Sequence, residues 1–402
     1  RVGGGYALTG QLPGLSYTTK IYDATNGMPT SEANYILGAS DGYIWIGGYS
    51  GIIKYDGSVF ERLSSSEGLT NGRGLYEDSL GRIWVATNDN GVVVLDHGET
   101  IHYSKGAGLA SSSIRSFCED KEGNIYIGST AGVSYVDKDM VIHIVDDKRI
   151  NTCRVLRLVS DVSGAVYGQS KEGAVFSLNN GSVDSFYTST DLSMNTITAI
   201  AADPRDVGKL YIGTDRNYIY HGKYGDSADK MEKIYTSPLE NIHWMSYECG
   251  RLWISSTSQI GYLDNNGQFS LVDNIAMNDS IEMMTSDYQG NMWFASSRQG
   301  VMKIITNNFE DYTSAAGISD EVVNASCVHN GKLYVGTDNG LYIVGSNGKT
   351  INNGLTSYMK DTRIRCIMSD SDNNLWLSTF NNDRGLVRYS AGGDITNYTT
   401  KN

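Results

Sequence analysis

An aliphatic–aromatic pair recurs nine times along this chain at intervals of about 41 residues. A glycine or asparagine stands three residues before each aromatic, and the segments between are short apolar or alternating runs. These three observations predict an all-β protein, a β-propeller built of four-stranded blades. Composition agrees: the 402 residues include 46 Gly and 27 Tyr but only 4 Pro, as suits many short strands joined by glycine turns.

Each part of the unit has a physical task. The aromatics are Trp45, Trp84, Tyr126, Tyr167, Tyr211, Trp253, Trp293, Tyr334 and Trp376, and they are read as packing between blades and not as a cofactor box. The turn glycine (Gly42, Gly81 and their equivalents, with Asn373 in the ninth copy) is expected at positive φ. In five copies an acid precedes it by three residues, as Asp78, Asp120, Asp161, Asp287 and Asp370. A carboxylate there can accept turn amide protons, so these aspartates are expected to be structural. The strand after the turn is apolar, as in Ile44-Trp45-Ile46, and its small residue two past the aromatic (Gly47, Ala86, Gly128) lets neighbouring blades approach closely. A second turn and strand follow, as in Asn339-Gly340-Leu341-Tyr342, then a more variable strand, a loop, and the apolar strand that opens the next unit. Helical solenoids would need 3.6-residue amphipathic stretches, which the sequence lacks.

Residues 1–14 read as a flexible N-terminal end and 15–402 as the propeller. Leu15 to Asp23 resembles the variable fourth strand, as does Asp394 to Thr400, so both ends are cut in phase with the repeat. Nine units allow a single ring of nine blades or a seven-bladed ring plus two further blades. Dangling blades would expose apolar faces, which favours the single ring of nine.

The net charge of -13 argues against nucleic-acid binding. No apolar run approaches the ~18–20 residues that cross a bilayer, although a chain beginning at Arg1 leaves native anchoring open. Of five cysteines, Cys118, Cys327 and Cys366 fall in apolar runs and read as small core residues. Six histidines show no metal-binding spacing, and neither a nucleophile elbow nor a phosphate loop occurs, so no metal, cofactor or catalytic set is expected. One constellation stands out. Ten to thirteen residues before each aromatic, where the innermost strand begins near the ring axis, lie Asn34, Arg73, Arg115, Arg154, Arg157, His243, Glu282, Asn324 and Arg365. Either the arginines pair internally, with Glu32, Glu282 and strand carbonyls, or they form a pocket for a small carboxylate or phosphate.

The unit D-x-x-G-x-[IL]-[WY]-[IV]-[GA]-[ST], with good copies at Asp78 to Thr87 and Asp120 to Ser129, resembles the two-component regulator propeller repeat. The resemblance implies the extracytoplasmic, ligand-sensing half of a bacterial membrane-anchored hybrid histidine kinase or diguanylate cyclase, with its output domain elsewhere and dimerisation through the full-length receptor. The stretches Asn26 to Asn34 and Ser297 to Lys303 resemble the diguanylate cyclase sensors most. Copies four to six depart from the pattern: Gln169 replaces the small residue, Tyr247 replaces the acid, and Pro204 to Val207 is inserted. A propeller lyase or glycan-active enzyme is the enzymatic alternative. A protein-docking propeller is the third, and it would show an apolar patch in place of a polar axial pocket.

Overall fold

The computed structural model describes residues 17–306, 317–318, 321–345 and 349–401. Nine four-stranded antiparallel sheets account for the repeat, one per copy. The repeat's turn glycines take positive φ, with Gly81 at 79° and Asn373 at 64°. The aspartate six residues before the aromatic does more than cap the turn. Asp78 accepts the amide protons of Leu80 and Arg82 through Oδ1, and its Oδ2 accepts the Trp84 indole N–H at 2.8 Å. Asp287 with Trp293 and Asp370 with Trp376 repeat the bond at the same distance. Each such carboxylate therefore ties a turn to its own blade's core, as a structural reading requires.

The chain forms two compact units, 18–305 and 306–402. In the first, seven inner strands follow one another: Tyr35–Gly38, Gly74–Glu77, Ile114–Glu119, Val155–Ser160, Ile197–Ala202, Trp244–Glu248 and Ile281–Ser286. Each packs on the next, and the seventh packs back on the first. Blades meet closely at the small residue after the aromatic: a Cβ on Gly47 would lie 2.8 Å from the Gly72 carbonyl oxygen. The ring is locked by strand exchange between the ends. Tyr17–Tyr22 supplies the outer strand of the seventh blade, beside Gly300–Thr306. Ile36, Ile46 and Tyr55 of the first blade share one core cluster with Met283, Trp293 and Val301 of the seventh.

Nine four-stranded blades are present, but the ring closes at seven, so the arrangement is the seven-bladed ring with two further blades and not the single ring of nine. The two remaining sheets make up the second unit, where the inner strands Val323–His329 and Ile364–Ser369 pack on each other. Exposed apolar faces were the argument against this arrangement, and the second unit does carry them: Val323, Val328 and Met368 are 45%, 62% and 55% exposed. For the same reason Cys327 is only half-buried and Cys366 is exposed, whereas Cys118 of the ring is a buried core residue as expected. The stretch read as one domain thus comprises two units, and residues 1–14 lie outside the described residues.

Candidate functional site

The site is built by one backbone device repeated around the axis. In blades three, four, five and seven the pairing of the inner strand slips by one residue, at Arg115, Leu156, Thr198 and Glu282. Such a bulge re-aims the extra side chain out of the ladder. In blades one, two and six the residue immediately before the strand takes this place: Asn34, Arg73 and His243. All seven line one cavity of about 250 Å³. The residue after the bulge adds Tyr35, Arg157, Ala199, Trp244 and Met283 to the same wall.

Six of the nine sequence candidates are therefore brought together: Asn34, Arg73, Arg115, Arg157, His243 and Glu282. Arg154 is not in the lining. It precedes Leu156, the true fourth-blade equivalent of Arg115, by two residues and is exposed. Asn324 and Arg365 occupy the same bulge position, but in the second unit. There Asn324 donates to Asp338 at 2.7 Å and the Arg365 guanidinium lies 5.3 Å from the Phe380 ring centre. Thr198 stands thirteen residues before Tyr211, at the far end of the ten-to-thirteen window because of the Pro204–Val207 insert, and its lack of charge keeps it out of the candidate set. Two departures from the repeat were the available signals. Gln169, which replaces a small residue, is 3% exposed and donates to the Thr198 carbonyl at 3.1 Å. Trp244, the tryptophan outside the repeat, stacks its ring against the Arg157 guanidinium at 3.6 Å and meets Tyr35 edge-on at 5.9 Å.

The electrostatics are one-sided. Among the described residues, none of Arg73, Arg115 and Arg157 has a carboxylate within ion-pair distance. Arg73 donates to the Tyr49 hydroxyl at 2.7 Å, and Arg115 donates to the Ile114 carbonyl at 3.0 Å. Burial lowers the Arg115 pKa, and repulsion from Arg73 and Arg154 adds to it. Burial likewise lowers that of Arg157, against the Tyr35 hydroxyl. Glu32 is taken by Asn34 and the Tyr49 amide. Glu282 accepts from Ser297 at 3.0 Å and sits 3.5 Å from His243 Nε2. Burial pushes the Glu282 carboxyl up, but the His243 and Ser297 hydrogen bonds and the nearby Arg73 outweigh it and hold it below the usual range. Of the internal partners expected, Arg115 takes a strand carbonyl, while Glu32 and Glu282 are not paired with Arg73, Arg115 or Arg157. What remains is a concentration of unneutralised guanidinium donors inside a chain of net charge -13.

Among the described residues no group of three or more His, Cys, Asp or Glu side chains is placed to hold a metal ion, and no helix is long and apolar enough to cross a membrane.

The two-component regulator propeller profile matches residues 108–131 and 358–381, one repeat in each unit. No curated protein sequence matches the chain. Among solved structures, the extracellular domain of a hybrid two-component system from B. thetaiotaomicron is similar over 95% of this chain and 55% of its own length, with 18% identity and a TM-score of 0.60. The extracellular domain of a one-component system from the same organism is similar over 95% of this chain and 54% of its own, with 16% identity and a TM-score of 0.58. The chain therefore spans about half the length of those domains. Virginiamycin B lyase from Staphylococcus aureus is similar over 72% of this chain and 99% of its own, with 14% identity and a TM-score of 0.60. At these identities the likeness is one of fold.

Proposed function

We propose, for a chain that carries two-component regulator propeller repeats, that the seven-bladed unit is an extracytoplasmic sensor domain that binds a small anion on its axis. The output domain, a kinase or a diguanylate cyclase, and the membrane anchor would lie elsewhere in the receptor, which would dimerise as a whole. The observation that carries this reading is the set of three arginines without a carboxylate within ion-pair distance, brought to one cavity by the starts of three inner strands. Guanidiniums so placed repel one another, and an anion among them relieves the repulsion while taking charge-assisted hydrogen bonds. The extracellular sensor domains that share the fold support the compartment.

Isothermal titration calorimetry with a panel of phosphate and carboxylates tests it. At least one anion should bind the wild type. Arg115→Ala should weaken that binding by ~1.5–3 kcal/mol, or ~10- to ~150-fold, with little change in melting temperature, because a charged donor is lost and no core is disturbed. Absence of binding across the panel would remove the reading.

A lyase is the second reading, favoured by the His243–Glu282 pair in the cavity and by the catalytically inactive histidine-to-alanine variant described for the S. aureus lyase. Incubation with virginiamycin B separates the two: turnover that is lost in His243→Ala would support the lyase, and unchanged antibiotic supports the sensor.

A further inference from the structure

The cavity holds more than one set of donors. Three side-chain atoms buried in its lining have no hydrogen-bond partner: Arg157 Nε, Trp244 Nε1 and Thr198 Oγ1. Buried polar atoms without partners are uncommon in folded proteins, so three in one cavity call for a shared acceptor. They are separate from the Arg73 and Arg115 donors. Arg73, just before its strand in blade two, and Arg115, at the bulge of blade three, hold equivalent positions in adjacent blades, whereas Arg157 lies one residue past the bulge of its own strand and is stacked on Trp244.

The rest of the wall narrows the ligand. Leu156, Ala199, Ile200, Met245 and Met283 are aliphatic. Asn34, Gln169 and Ser297 already hydrogen-bond within the wall, with Glu32, the Thr198 carbonyl and Glu282. A polyhydroxylated ring would press several of its hydroxyls against methyl and thioether groups, which is costly. Inorganic phosphate would occupy one donor set and leave the other orphaned. A cavity of about 250 Å³ also suits a short skeleton and not an oligomer.

Resting on the anion-pocket reading above, we propose that the ligand is a small dicarboxylate with a hydrocarbon spacer. One carboxylate is held by Arg73 and Arg115, and the other by Arg157, the Trp244 indole N–H and the Thr198 hydroxyl.

The test is calorimetry on the full chain with succinate, glutarate and adipate, against butyrate and phosphate. At least one dicarboxylate should bind ~10-fold or more tighter than butyrate, since it engages a second charge-assisted set. Arg157→Met and the near-isosteric Thr198→Val should each bring the tightest dicarboxylate down toward butyrate, and Arg115→Met should weaken both ligands. Because Arg157 is buried, near-UV circular dichroism and ligand-free melting of each variant establish folding, and Thr198→Val keeps the test available if Arg157→Met fails to fold. If butyrate or phosphate binds as tightly as every dicarboxylate, or if neither variant alters the preference, the dicarboxylate proposal is overturned and the anion pocket stands. If nothing in the panel binds, both fall.

Discussion

Replacing Trp293 by alanine probes the closure of the ring at its seam. Trp293 is 1% exposed. Its ring lies against Tyr22 at 6.0 Å and 15°, and edge-on to Tyr55 at 5.9 Å and 65°. Tyr22 belongs to the N-terminal strand that completes the seventh blade, and Tyr55 belongs to the first blade, so one indole contacts all three parts of the closure. Truncation leaves a cavity worth ~3–5 kcal/mol. It also removes the 2.8 Å donor to the Asp287 carboxylate, a charge-assisted bond of ~1.5–3 kcal/mol that overlaps in part with the cavity term. Trp293→Phe keeps most of the ring and loses the bond, so it should cost ~1.5–3 kcal/mol and fall clearly below the alanine variant. Urea unfolding of the full chain, followed by far-ultraviolet circular dichroism, reads both. A loss under ~1 kcal/mol for Trp293→Ala, well short of a buried-Trp cavity, would mean that the indole does not fill the seam.

Gly300→Ala attacks the same seam through the backbone. Gly300 has φ 78°, and a Cβ there would lie 2.1 Å from the Tyr22 carbonyl oxygen, so the variant should lose at least ~1–2 kcal/mol and release the N-terminal strand to faster amide exchange. In the second unit, hydrogen bonds from Trp376 and Asn374 hold the Asp370 carboxyl at about 2, below its unfolded value near 4. That depressed pKa contributes stability present above pH ~4 and lost as pH falls toward ~2, so acid titration should loosen this unit in that window, and Asp370→Asn should flatten the dependence. Burial pushes the Cys118 thiol up to about 12, while Cys366 is exposed. Iodoacetamide at pH 8, read by mass spectrometry, should label Cys366 and spare Cys118 until the protein is unfolded.

What the sequence made legible was whatever each copy repeats. The aromatic, the turn glycine and the aspartate are local devices, so Trp84, Gly81 and Asp78 carry their roles in their spacing. Closure is not local. It depends on whether Tyr17–Tyr22 pairs with the strand after Gly300 or with the end of the ninth copy, and both pairings satisfy the same strand pattern. Exposure of apolar faces does not select a ring of nine, because Val323, Val328 and Met368 of the second unit do stand on the surface. The site was half legible. Arg73, Arg115 and Glu282 each stand eleven residues before their aromatics and His243 ten, so their spacing alone gathers them. Leu156 stands at the same offset of eleven and Thr198 at thirteen, but neither carries a charge, so spacing read together with charge points to Arg154 in blade four and to no residue in blade five. Arg157 was selected for its charge, yet its place depends on the stack with Trp244, two blades away, which no spacing within a copy reveals.

The axial pocket is tested most directly by anomalous diffraction from crystals grown with selenate, a tetrahedral oxyanion whose selenium can be located without prior assumption. A selenium peak on the ring axis, within hydrogen-bonding reach of the Arg73 and Arg115 guanidiniums and absent in Arg115→Ala crystals, is the predicted result. Peaks confined to the outer surface, with the axis empty at the same selenate concentration, would contradict it.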